Sequence, residues 1–204
     1  MTTVVVPFSG PRGKRRFAPL PPARRSALAH AMLADVLAAA VPVGRTLVVT
    51  PSDAEQAHAV ADAAGAEVLE ETGHGQSDAV SQALQTVRDG PVLIVNADLP
   101  CARPPDLLAL LGLLPAGGLA IVEALDGTTN ALALSSPRLW EPLYGAGSAA
   151  RFLRYAEGLG LPAVAAALPN LADDADTPDA LAVLAGRLGP HTAAALARPP
   201  AVAA

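Results

Sequence analysis

Cysteine is almost missing from this sequence, since Cys101 is the single one among 204 residues. One thiol cannot form an internal disulfide framework or a cysteine-rich zinc site. Charge is also scarce: Asp, Glu, Lys and Arg make up 16% of the chain, against about 25% on average. Acidic residues outnumber basic ones by 19 to 14, the opposite of the balance expected of a general nucleic-acid binder.

Long apolar runs are missing too. The longest charge-free stretch, residues 107–122, contains Pro115, Gly117 and Gly118 and is shorter than the ~18 apolar residues of a membrane span. The first eight residues lack the basic start of a secretory signal. We therefore expect a soluble, cytoplasmic protein without nucleic-acid or membrane partners. The absence of GxxxxGK[ST], GxSxG and HxxxH patterns argues against a Walker A loop, a serine hydrolase and a histidine metal site.

Short β-branched segments alternate with longer Ala/Leu-rich segments along the chain. This order predicts one α/β domain over residues 1–189, a mostly parallel sheet with helices on both faces, followed by a frayed Ala/Pro-rich tail, 190–204. PVLIVN at 91–96 is apolar without alternation and predicts a central strand. The strands are predicted at 3–8, 45–50, 66–70, 91–96, 119–124, 130–135 and 163–168. The helices are predicted at 23–40, up to 64, 78–87, 104–114, 148–159 and 178–188.

Loops after the strands of such a sheet hold its ligands. SGPRGKRR, residues 9–16, follows the first strand, and its Lys14, Arg15 and Arg16 could hold phosphate oxygens; a solvated basic turn is the alternative. Asp98 follows the central strand, where a carboxylate could hold Mg²⁺ beside a triphosphate or could simply cap the helix at Pro104.

Two later segments carry similar alternatives. GTTN at 127–130 and GAGS at 145–148 lead to a helix start where Ser148 is the predicted N-cap, with or without an anion bound to the free amides. In DDADTP at 173–178, three carboxylates in four residues repel one another unless a cation lies among them. Asp176 with Pro178 also forms an N-cap signature, so one aspartate could be structural while its neighbours bind a metal.

These segments occur in one order, as a basic loop, NADLP, GTTNAL, GAGSAARF and LADDADTPDAL, over about residues 4–187. The ordered set resembles the 2-phospho-L-lactate or phosphoenolpyruvate guanylyltransferases, the CofC/FbiD family of coenzyme F-420 biosynthesis. The resemblance implies a single-domain Rossmann-like nucleotidyltransferase fold. It also implies an enzyme that joins GTP to a small phosphorylated three-carbon acid and releases pyrophosphate.

The resemblance further implies three sets of site residues and a Mg²⁺ cofactor of one or two ions. The metal set is Asp98, Asp174 and Asp176. The acceptor set is Thr129, Asn130, Gly145 and Ser148. The nucleotide set is Ser9, Gly10, Lys14, Gly75 and Ser77, and Lys14, Arg16 and Asp98 are the expected catalytic residues.

The sequence departs from the family pattern in two places. Ser9-Gly10 stands where a lysine is usual, and GQSDAV at 75–80 replaces GLNAAL. Both places lie where the nucleotide would be bound. They keep open a nucleotidyltransferase that uses another nucleotide and another phosphate or phosphonate acid; a non-catalytic nucleotide-binding protein is the further alternative. The Leu- and Ala-rich helices could supply a homodimer face.

Overall fold

The computed structural model describes residues 1–10, 20–73 and 75–198. The predicted roles of Lys14, Arg15 and Arg16 therefore fall outside the described residues. The strands are β1 (Thr3–Pro7), β2 (Arg45–Thr50), β3 (Glu67–Glu70), β4 (Val92–Val95), β5 (Leu119–Glu123), β6 (Thr129–Leu134) and β7 (Ala163–Ala165). The helices are α1 (Pro22–Ala40), α2 (Glu55–Ala64), α3 (Gln76–Leu84), α4 (Pro104–Leu113), α5 (Ser148–Gly158), α6 (Pro169–Ala172), α7 (Pro178–Val183) and α8 (Pro190–Ala197).

The strands form one sheet in the order β3-β2-β1-β4-β6-β5-β7. β1 pairs in parallel with β2 and β4, β2 with β3, and β5 with β7. β6 runs antiparallel to both β4 and β5, because a tight turn at Gly127 joins β5 directly to β6. The predicted mostly parallel sheet is confirmed, and the reversal of β6 brings its first residues to the edge where β4 ends.

Helices cover both faces of the sheet, as predicted. Successive residues of β1 face opposite ways: Val4 packs in the cluster that includes Leu33 of α1, and Val5 in the cluster that includes Val80 of α3 and Phe152 of α5. All four residues of β4 are fully buried. Each buried aliphatic side chain stabilises the fold by ~1.5–3 kcal/mol, which explains the continuous apolar run of the central strand.

The prediction of a frayed tail is wrong for residues 190–197, which form α8. The buried carboxylate of Asp35 in α1 accepts hydrogen bonds from the backbone N–H groups of His191 (3.0 Å) and Thr192 (2.8 Å) at the start of α8. The guanidinium of Arg24 donates to the carbonyl of Leu196 at 2.7 Å. Since α1 supplies both contacts from between 156 and 172 residues away, the local Ala/Pro-rich composition could not reveal them.

Several elements are shorter than predicted, β7 and α7 among them. β7 ends at Ala165, because Pro169 soon begins the unpredicted helix α6. α7 ends at Val183, where residues 184–187 close a turn in which the N–H of Arg187 donates to the carbonyl of Leu184 at 2.8 Å.

The longest described helix is α1, with 19 residues, and it carries Arg24, Arg25 and Asp35. None of the helices in the described part of the chain is both long and apolar enough to cross a membrane.

Candidate active site

A crevice opens at the edge where β1, β3 and β4 end. The loops after these parallel strands meet there, as the fold requires. The crevice has a volume of ≈ 210 Å³, below the ~300–1,000 Å³ of typical ligand sites. Its lining includes Ser9, Gly10, Gly75, Gln76, Asn96, Asp98 and Asp176.

The structure brings the three predicted metal residues together. Asp98 follows β4, whereas Asp174 and Asp176 lie in the segment before α7. One carboxylate oxygen from each lies within 4.8 Å of the others, and all three residues are half-buried. The backbone N–H of Ala175 donates to the carbonyl of Asp98 at 2.9 Å. This bond holds the 173–176 segment against the β4 loop, so the three carboxylates converge at the mouth of the crevice.

The structural aspartate of this segment is Asp173, and the predicted capping role of Asp176 is wrong. Thr177 is the N-cap of α7, and its hydroxyl accepts a hydrogen bond from the N–H of Ala180 at 3.1 Å. The carboxylate of Asp173 forms an ion pair with Arg187. The hydroxyl of Thr177 therefore caps α7, and the carboxylate of Asp176 lies in the cluster with Asp98 and Asp174.

Burial and the neighbouring negative charges raise the pKa of Asp174 above its ordinary value. Burial of the carboxyl contributes most, followed by the charges of Asp98 and Asp176, while a weak hydrogen bond from Asn130 opposes the increase. Each of these raising causes favours the neutral acid over the carboxylate. A cation among the three carboxylates would reverse this balance, since its positive charge favours the ionised form.

Three side-chain amides connect the crevice to the carboxylate cluster. Asn130 Nδ2 donates to the carbonyl of Ala172 at 3.0 Å and lies 3.5 Å from Asp174 Oδ1. Asn130 Oδ1 lies 3.3 Å from Asn96 Nδ2. Asn96 Oδ1 in turn accepts from Gln76 Nε2 at 2.6 Å. Because a carbonyl and a carboxylate can only accept, the amide N–H groups of this hydrogen-bonded series point toward Asp174. Gln76, at the other end of the series, lines the crevice.

The predicted acceptor residues fall into two adjacent groups. Thr129 and Asn130 are consecutive in β6, so their side chains point to opposite sides. Thr129 Oγ1 and Ser148 Oγ share a hydrogen bond of 2.9 Å, and both residues are at most 1% exposed. Asn130 turns instead to Asp174. The strand thus places Asn130 beside the carboxylate cluster and Thr129 on its other side, against Ser148 at the start of α5.

Ser148 is not the N-cap of α5, contrary to the sequence prediction. It is the first helical residue, and Gly147 occupies the cap with φ of 65°. A left-handed conformation of this kind suits glycine, and it leaves the Ser148 side chain free to bond Thr129. Gly145, with φ of 115°, is an exposed residue of the same loop.

Of the predicted nucleotide residues, Ser9, Gly10 and Gly75 line the crevice. Ser77 does not line it; the carbonyl of Ser77 accepts a hydrogen bond from the hydroxyl of Ser81 at 2.8 Å inside α3.

The family model described as "Guanylyl transferase CofC like" matches residues 2–183. The chain belongs to this guanylyltransferase family. Sequence relatives agree: this CofC-like chain is 36% identical over 197 residues to a phosphoenolpyruvate guanylyltransferase of Sphaerobacter thermophilus, covering 91% of the chain and 94% of the relative. It is also 36% identical over 155 residues to a 2-phospho-L-lactate guanylyltransferase of Haloterrigena turkmenica, covering 70% of the chain and 66% of the relative.

Solved structures share the fold of this CofC-like guanylyltransferase. A putative nucleotide-diphospho-sugar transferase of Desulfovibrio desulfuricans superposes with a TM-score of 0.75 at 16% identity, over 96% of this chain and 93% of the other. Glucosyl-3-phosphoglycerate synthase of Mycobacterium tuberculosis, solved with Mn²⁺, UDP and phosphoglyceric acid, superposes with a TM-score of 0.60 at 17% identity, over 81% and 67%. The predicted Rossmann-like nucleotidyltransferase fold is confirmed.

Sequence reasoning missed Gln76, Asn96 and Arg151 of this guanylyltransferase. Asn96 was visible as the first residue of NADLP, but its partners on α3 and β6 depend on the tertiary fold. Among the described residues, the side chain of Arg151 donates to backbone carbonyls of the loop before α5, and no sequence motif predicts this contact.

Proposed function

We propose that this guanylyltransferase transfers GMP from GTP to phosphoenolpyruvate, or to the closely related 2-phospho-L-lactate, in a reaction that depends on Mg²⁺. The cluster of Asp98, Asp174 and Asp176 at the mouth of the crevice carries the proposal. The names of the sequence relatives support these acceptors, and such a product fits coenzyme F-420 biosynthesis.

The donor set of the cluster fits the proposed metal. Three carboxylates offer hard oxygen ligands, which suit Mg²⁺ or Mn²⁺ better than zinc or copper. A divalent cation held by Asp98, Asp174 and Asp176 would neutralise the phosphates of both substrates and align them. The fold neighbour crystallised with Mn²⁺ and UDP supports a metal–nucleotide site on this scaffold.

The chemistry needs alignment more than a protein nucleophile. A phosphate oxygen of the acceptor attacks the α-phosphorus of GTP, a new phosphorus–oxygen bond forms, and the bond to the β-phosphate bridging oxygen breaks. Pyrophosphate takes the electron pair and leaves. Lys14 and Arg16 would neutralise its charge, because they come four and six residues after Gly10, which lines the crevice.

The nucleotide would lie along Ser9, Gly10 and Gly75, which line the crevice beside the start of α3. At Gly75, φ of 91° shows a backbone that only glycine adopts readily, and this conformation begins α3 beside the crevice.

The acceptor would bind between Asn130 and the loop at Gly145. Thr129 and Ser148 use one of their two hydroxyl protons for each other, so the second proton could bond an anionic oxygen of the acceptor. Because both residues are buried, acceptor entry would require the loop to move. Ser148→Ala should therefore raise the KM of the acceptor and leave the KM of the nucleotide unchanged, whereas Ser135→Ala, at the far end of β6, should change neither.

The deciding experiment offers the four nucleoside triphosphates separately, each with phosphoenolpyruvate, 2-phospho-L-lactate or 3-phosphoglycerate, and identifies products by mass spectrometry. We expect a guanylylated phosphoenolpyruvate or phospholactate, with one pyrophosphate released per product. The changed loop at Gln76-Ser77-Asp78 favours a second candidate, transfer from another nucleotide to another phosphate or phosphonate acid, which the same panel would reveal. Tight nucleotide binding without pyrophosphate release would contradict catalysis altogether.

The cytoplasmic location and the homodimer stay predictions from the sequence. Light scattering of the purified protein would test the homodimer.

A further inference from the structure

We propose that Arg151 is a positioning residue that shapes the acceptor-binding loop, residues 143–147, for an anion. The inference rests on the proposed function, because it assumes that the acceptor binds at this loop. Arg151 lies in the first turn of α5, and its side chain reaches back over the loop that precedes the helix.

The guanidinium bonds three backbone carbonyls of the loop. Nε and Nη2 donate to the carbonyl of Leu143 at 3.1 and 2.7 Å, and Nη2 also donates to that of Tyr144 at 3.1 Å. Nη1 donates to the carbonyl of Ala146. All three guanidinium nitrogens are therefore engaged by one short loop, and the rigid planar fork of arginine fixes the direction of each carbonyl.

The direction of the carbonyls determines the direction of the amides. The peptide bonds of the described residues are all trans, so each N–H points opposite to the C=O of the same peptide. The carbonyls of Leu143, Tyr144 and Ala146 face Arg151, and the N–H groups of Tyr144, Gly145 and Gly147 consequently point away from it. None of these three N–H groups donates to a backbone carbonyl within the described ranges.

Amides presented in this way suit an anionic ligand. Gly145 and Gly147 both have positive φ, and successive N–H groups in such turns form concave anion sites. The start of α5 adds the positive end of a helix dipole. Arg151 lies on the carbonyl side, so it sets the amides in place without itself contacting the acceptor.

Lysine would keep the positive charge of Arg151 but could not direct three carbonyls at once. We expect Arg151→Lys to raise the KM of the acceptor by about 10–100-fold, since misplacement by about 1 Å can cost 10²-fold. The KM of GTP and the melting temperature should stay close to those of the wild type. Arg154→Lys is the matched control: it is an exposed arginine in the same helix, and all parameters should remain unchanged.

Chemical rescue tests the same role in a second variant. Arg151→Ala should lose acceptor affinity, and millimolar guanidinium ion should restore part of it, whereas ammonium ion should not. The proposal would be overturned if Arg151→Lys kept a wild-type acceptor KM. An equal rise in both KM values with a fall in melting temperature, or rescue by ammonium, would also overturn it. A wild-type enzyme that transfers no nucleotide would instead disprove the proposed function.

Discussion

Replacing Asp176 by asparagine should stabilise the metal-free protein and abolish its stabilisation by Mg²⁺. Both effects come from the same geometry: three half-buried carboxylates whose oxygens lie within 4.8 Å. Without a cation, like charges repel, and a neutral amide of the same shape removes two of the three repulsive pairs.

The size of the effect follows from Coulomb's law. Two unit charges at the 4.8 Å limit repel by about 0.9 kcal/mol in water and about 3.5 kcal/mol at an effective dielectric constant of ~20. Partial exposure places the gain near the lower value, at about 1–2 kcal/mol in total. For a chain of 204 residues, this corresponds to a rise in melting temperature of about 2–8 °C.

Bound metal should likewise raise the melting temperature of the wild type, because a cation offsets the repulsion among the three carboxylates. A ligand at a hundred times its Kd stabilises the folded state by about 2.7 kcal/mol, a shift of about 5–11 °C for a protein of this size. Asp176→Asn should lose most of that shift. Differential scanning calorimetry in EDTA and in excess Mg²⁺ measures both quantities for each variant.

Asp173→Asn is the matched control, because it removes the same charge from the same segment. Asp173 pairs with Arg187 outside the cluster, so its loss should lower the melting temperature slightly and keep the Mg²⁺ shift intact. If Asp176→Asn lowered the melting temperature in EDTA and still responded to Mg²⁺ like the wild type, the assignment of the cluster as a metal site would be wrong.

Three further outcomes follow from the structure. The pKa of Asp174 is raised above its ordinary 3.8. In the metal-free protein, its contribution to stability is therefore present at low pH and is lost as the pH rises through the folded-state pKa. Thermal unfolding in EDTA across this acid range should show a pH dependence that Asp174→Asn reduces. Asp35→Ala removes both hydrogen bonds to the start of α8 and should lower the free energy of unfolding in urea by about 1–2 kcal/mol. Trypsin should then cleave faster after Arg187; unchanged cleavage would show that the Asp35 carboxylate does not hold α8 in place. The hydroxyl of Tyr144 is buried without a hydrogen-bond partner among the described residues, so Tyr144→Phe should stabilise the protein by about 1 kcal/mol, and a clear loss of stability would contradict this description.

Features set by neighbouring residues could be predicted from the sequence. The apolar run of β4 predicts a strand covered on both faces, and Asp98 comes three residues after its end. The ligand edge of a parallel sheet then limits where Asp98 can lie. The same local reasoning predicts the strand–helix order, because hydrophobic spacing is a property of each segment.

Features that depend on distant partners could not be predicted. Asp173 and Asp176 are alike in the sequence, and only the positions of Arg187 and Thr177 separate the ion-paired aspartate from the clustered one. The amide chain from Gln76 to Asn130 likewise requires α3, β4 and β6 to meet in one register. The local composition of a segment does not predict such contacts between elements that are distant in the sequence.

In β6, two adjacent residues point to two different groups of side chains. Thr129 faces the helix that begins at Ser148, and the next residue, Asn130, faces the carboxylates. A slip of one residue in the register of β6 would exchange these two sides and turn Asn130 away from the carboxylates.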